Sequence, residues 1–133
     1  MVLMGESSSL VRDPGIEAPS LPVPNLDHFL KFRGVLDAYL IRSDGSVITR
    51  AGYLETDTAG LLASISLLIA ESGIIAGRIP NGSVSLIFLE FENKVVVIQE
   101  IDYNRFIVII ARIDANIGRI SYRLKKEISN PVS

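Results

Sequence analysis

The chain has 133 residues and 48% hydrophobic content, enough for one compact domain with a real core and not comfortably for two. Thirteen Lys and Arg against fifteen Asp and Glu give a net charge of −2, so no global field draws the chain onto nucleic acid or an anionic membrane. The absence of Cys excludes disulfide frameworks, thiol nucleophiles, Cys-based zinc sites and iron–sulfur clusters, and it fits a reducing cytoplasm.

Residues 1–23 combine the run Ser7 to Ser9 with Pro14, Gly15, Pro19 and Pro22, a composition expected to form a flexible tail before a domain over 24–130. Asn25 precedes Leu26, Phe29 and Leu30 at helical spacing and can cap a short helix that Gly34 stops. Residues 35–41 read as a strand, and Asp44-Gly45 is expected to supply both positive-φ residues of a two-residue hairpin turn before a strand over 47–51. Thr56 is expected to cap a long second helix reaching about Gly77, with Asp57 near the positive end of its dipole. Pro80, Asn81 and Gly82 then break the chain, and β-type runs at 84–91, 95–99 and 106–111 predict an antiparallel meander. Asp114 is expected to cap a last helix with Ile117, Ile120, Leu124 and Ile128 inward. The order is α-β-β-α-β-β-β-α: an α+β fold of about five antiparallel strands flanked by three helices.

The second helix carries the functional signal. Placed about 100° apart, Leu61, Leu62, Ile65, Leu68, Ile69 and Ile75 form one apolar stripe that a sheet can bury, while Ala59, Ala63, Leu67, Ala70 and Ile74 form another on nearly the opposite side. A helix outside a single sheet should show water a polar face, so the second stripe implies a second covering body. Leaving Leu67 and Ile74 in water forfeits about 3 to 6 kcal/mol, and the alanines let another helix approach closely. The same stretch is interrupted by Ser64, Ser66, Glu71, Ser72 and Gly73, which argues against an integral membrane segment. Self-association is the preferred explanation.

Several segments carry a family resemblance: Gly34-Val35 with the later Ser43-Asp44-Gly45-Ser46, the double-faced helix, Arg105-Phe106-Ile107-Val108, Ala111-Arg112, and above all Asp114-Ala115-Asn116-Ile117-Gly118. Over about residues 26–128 the chain resembles the Roadblock family of dynein light chain type. The resemblance implies a homodimer in which two second helices pack antiparallel and the third strands pair across a two-fold axis into one sheet. The implied interface is Ala59, Ala63, Leu67, Ala70 and Ile74 on the helix with Val84, Leu86 and Phe88 on the strand. It further implies a non-catalytic scaffold or regulator of a small Ras-like GTPase, in which another Roadblock-domain chain can replace one protomer. A dynein-type structural linker is an alternative within the family.

Reactive chemistry is sparse. His28 stands alone beside Asp27, outside any metal-ligand spacing, and no nucleophile-elbow or P-loop pattern is present. No catalytic, metal or cofactor residues are assigned, and an enzyme is not expected. Arg50 and Arg78 are formal candidates for arginine fingers, with nothing to select either. Arg119, Arg123 and Lys126 are read as a solvated face that complements a helix C-terminus. The competing fold-level reading is a small-ligand sensor of PAS or GAF type, which needs an internal cavity with convergent polar groups; the Val, Ile, Leu and Phe of the strands predict a filled core.

Overall fold

The computed structural model describes residues 23–52, 57–102 and 104–129. The elements are α1 (Asp27–Leu30), β1 (Val35–Arg42), β2 (Val47–Gly52), α2 (Thr58–Gly77), β3 (Leu86–Glu90), β4 (Lys94–Asp102), β5 (Arg105–Arg112) and α3 (Ile117–Ser129). Their order is the expected one, and the five strands form one sheet ordered β2-β1-β5-β4-β3 with every pairing antiparallel. The β1–β5 pairing joins the first hairpin to the meander and leaves β2 and β3 as the two edges. The expected tail over 1–23 lies outside the described residues except for Val23.

Side-chain alternation divides the core. Ala38, Leu40, Val95, Val97, Ile107 and Ile109 face α1 and α3, where Phe29, Ile120 and Leu124 complete the packing. Tyr39, Ile41, Val96, Ile98, Val108 and Ile110 face α2, which contributes Leu62 and Ile65. Helices cover both faces, so the central strands are apolar at nearly every position: Val95, Val96, Val97, Ile98 and Gln99 are all buried.

Four local expectations change in detail. The hairpin turn is not a two-residue turn with two positive-φ residues: only Gly45 has positive φ, at 89°. Its N–H donates to the Arg42 carbonyl at 2.9 Å, the Arg42 N–H donates to the Ser46 carbonyl at 2.9 Å, and the pairing shifts between Leu40 and Ile41. This is the three-residue form, a turn followed by a glycine bulge, in which Asp44 is free of backbone strain. Thr56 lies outside the described residues, and Asp57 caps α2 by accepting from the Gly60 N–H at 3.1 Å. α3 is capped by Asn116, whose Oδ1 accepts from the Arg119 N–H at 3.1 Å. Asp114 instead meets Arg112 at 3.2 Å and Arg33 at 3.9 Å. At α1, Asn25 accepts from the Asp27 N–H at 3.1 Å, and Leu26 occupies the cap position.

Candidate functional site

α2 rests on the sheet through Leu62 and Ile65, each 3% exposed, with Leu61, Leu68 and Ile69 packed beside them. A 3.6-residue period then forces Ala59, Ala63, Leu67, Ala70 and Ile74 outward, and all five are exposed, Leu67 at 70% and Ile74 at 54%. Ile75 departs from the expected inward stripe, being 61% exposed. Ala76 takes the inward position in the last turn, which swings its neighbour by about 100° toward the sheet edge.

That edge is β3, hydrogen-bonded to β4 on one side only. Ile87 and Leu89 turn under α2, whereas Leu86 and Phe88 remain exposed at 42% and 44%. The strand is shorter than the expected 84–91, so Val84 falls just before it and is half-buried. Between the last turns of α2 and this edge runs a groove of about 410 Å³ lined by Ser72, Ile75, Ala76, Ile79, Leu86 and Phe88. Ile79 and Phe91, each 55% exposed, extend the apolar surface beyond the residues named from the helical wheel; their signal in the sequence is only that both are large apolar residues flanking turns. Among the described residues, seven of the eleven exposed large hydrophobic side chains lie between Leu67 and Phe91, which makes this a concentrated face rather than scattered surface apolarity. By length and composition α2 could also cross a membrane, but its inward side is committed to the sheet.

The polar candidates are engaged elsewhere. The Arg50 guanidinium donates to both carboxylate oxygens of Asp37, at 3.2 and 2.6 Å, and stacks on the Tyr39 ring 4.9 Å from its centroid. Its hydrogen bond to Asp37 holds Arg50 above its ordinary pKa. Burial, aided by Asp37, raises the Tyr39 phenol. An arginine tied to a buried carboxylate is poorly placed to reach into a partner. Arg78 is exposed at the C-terminal cap of α2. His28 packs α1 against α3 by accepting from the Arg123 Nη2 at 2.5 Å. Among the described residues no group of three or more His, Asp and Glu is placed to hold a metal ion.

None of the curated proteins matches this chain in sequence. Solved structures do match in fold. A Roadblock/LC7 domain from Streptomyces avermitilis superposes with a TM-score of 0.68 at 16% identity, covering 75% of this chain and 84% of that one. MglB from Myxococcus xanthus gives 0.67 at 20% identity, over 74% and 80% of the two chains. An MglB structure described as having a tetrameric arrangement gives 0.71 at 16% identity, over 87% and 94%. The fold is thus a known architecture, and the Roadblock/LC7 domain model matches residues 25–111 directly. With that match spanning most of the chain, the protein belongs to the Roadblock/LC7 domain family.

Proposed function

We propose that this chain is a non-catalytic binding module that forms a homodimer through α2 and β3 and regulates or scaffolds a small Ras-like GTPase in the cytoplasm. The observation that carries the reading is the exposed face made by Leu67 and Ile74 on α2 with Leu86 and Phe88 on the β3 edge. A second copy would bury both liabilities together, the apolar helix stripe and the open strand edge. Membership of the Roadblock/LC7 family and the tetrameric arrangement described for an MglB structure of the same fold support self-association. The GTPase partner rests on the family resemblance, and another Roadblock-domain chain can take the place of one protomer on the same surface.

Light scattering on the eluting protein tests the dimer: twice the 14.5 kDa chain mass is expected, falling toward the monomer for Leu67→Glu, which places a charge in the helix seam. A native monomer indifferent to that substitution would remove the physical basis of the reading. Binding of a Ras-like GTPase in its GTP-analogue and GDP forms then separates roles, because a regulator must bind the two states with different affinity and a scaffold need not.

A further inference from the structure

The net charge of −2 conceals a strong segregation. Residues 27–33 and 112–127, which include α1 and most of α3, hold seven Lys and Arg against three carboxylates. Two of those carboxylates are occupied: Asp114 by Arg112 and Arg33, and Glu127, itself buried, by Arg123 at 3.4 Å. Ile120 and Leu124 are fully buried against the sheet, which directs the rest of α3 outward.

On that outward side Arg119 lies over the Phe32 ring and Lys126 over the Tyr122 ring, each 5.5 Å from the centroid. Neither has a carboxylate partner among the described residues. With Arg123 they line a groove of about 560 Å³ closed by Phe32 and Tyr122, and Tyr122 is 65% exposed.

We propose that the α1/α3 face docks peripherally on an anionic lipid bilayer, with Arg119 and Lys126 taking headgroup phosphates, Arg123 held beside them by His28 and Glu127, and Tyr122 seated among the headgroups. Charge complementarity selects an anionic partner. The form of the face selects a surface: its cations run along roughly 10 Å of α3 and onto Lys31 and Arg33 in the turn after α1. Its most exposed aromatic is also amphipathic, a ring with a polar tip, as suits a membrane–water interface. Attraction of this kind adds up cation by cation near an anionic leaflet and is screened by salt. In the proposed dimer, a sheet continuous through β3 would place both α1/α3 faces on one side, opposite the α2 pair. That doubling rests on the dimer reading; the basic face of a single chain does not.

The test is co-sedimentation of the full chain with phosphatidylcholine vesicles, with and without phosphatidylserine, at low and high salt. The expected result is binding that requires phosphatidylserine, is lost at high salt, and weakens at least about tenfold in Arg119→Glu/Lys126→Glu, while Arg119→Lys/Lys126→Arg binds as the native chain does. Circular dichroism of the variants guards against misfolding. Equal binding to both vesicle types, no binding, or undiminished binding by the charge-reversed chain would overturn the proposal. Charge-dependent capture of polyglutamate or single-stranded DNA without vesicle binding would also overturn it, by giving the face to an acidic macromolecule. Light scattering on the same samples reports the dimer separately: a monomer that still requires phosphatidylserine defeats the dimer reading and supports this one.

Discussion

Arg50 and Asp37 meet diagonally across the first hairpin: the register sets Arg50 opposite Tyr39 and Gly52 opposite Asp37, and the Arg50 Nη2 stands 2.6 Å from a carboxylate with no exposed surface. The Tyr39 hydroxyl donates to the same carboxylate at 3.0 Å and is hydrogen-bonded with Thr58 in the first turn of α2. One buried polar cluster therefore ties β1, β2 and the start of α2 together. It also explains Gly52, where φ is 113° and a Cβ would stand 2.6 Å from Asp37 Oδ1.

Removing one member of this pair should separate its two halves. Arg50→Ala strands the carboxylate inside the sheet and should cost about 3 to 5 kcal/mol. Asp37→Ala should cost less, because the Arg50 side chain is 33% exposed and can turn to water. Urea unfolding of both variants checks the order, and a reversed order would show that Asp37 is solvated when alone.

The same cluster predicts alkaline sensitivity. Tyr39 is held above its ordinary value, chiefly by burial, so above about pH 10 the unfolded chain releases a proton that the folded chain retains. Stability should hold up to that point and fall as pH rises further. Tyr39→Phe should flatten this loss; an unchanged alkaline limb in the variant would assign it to other groups.

Acid should act through the hairpin turn. Hydrogen bonds from the Ser46 hydroxyl and N–H hold the Asp44 carboxyl below its ordinary value. Its contribution is therefore present above about pH 4 and disappears as pH falls through the folded value. Thermal unfolding of Asp44→Ala against native protein should show a difference near neutrality that closes in acid.

The helix caps give a fourth comparison. Asn116→Ala and Asp57→Ala should each cost about 1 kcal/mol, and Asp114→Ala should cost less, since it loses only exposed ion pairs. Chemical denaturation midpoints decide this directly.

The β3 edge can be tested apart from α2. Phe88→Lys places a charge on an exposed edge position, so it should shift the protein toward monomer by light scattering while leaving the cooperativity of unfolding intact. A dimer undisturbed by Phe88→Lys would remove β3 from the proposed interface and leave α2 alone.

Element order, the two stripes of α2 and the filled sheet can all be deduced from the chain, because each depends on local features: a 3.6-residue repeat for the helices and continuous apolar runs bounded by turn residues for the buried strands. Leu67 and Ile74 were assigned outward for that reason, and they are outward. Choices among competing short-range partners were not legible. Asp114 and Asn116 are both good caps in isolation; the folded chain begins α3 at Ile117, so Asn116 takes the Arg119 N–H while Asp114 meets Arg112 and Arg33. Thr56 and Asp57 pose the same choice, which the Gly60 N–H settles for Asp57 among the described residues. Ile75 sits at the margin of its stripe, where Ala76 and the end of the sheet determine its exposure.

Composition and periodicity determine the layers of this protein; what only the folded chain decides is which charges meet. Arg50 is 13 residues from Asp37 and Arg123 is 95 from His28, separations that no local pattern encodes. The basic α1/α3 face arises in the same way, from two distant segments laid side by side on one sheet face, so a net charge of −2 gives no sign of it: a sum over the chain carries no information about where the charges stand.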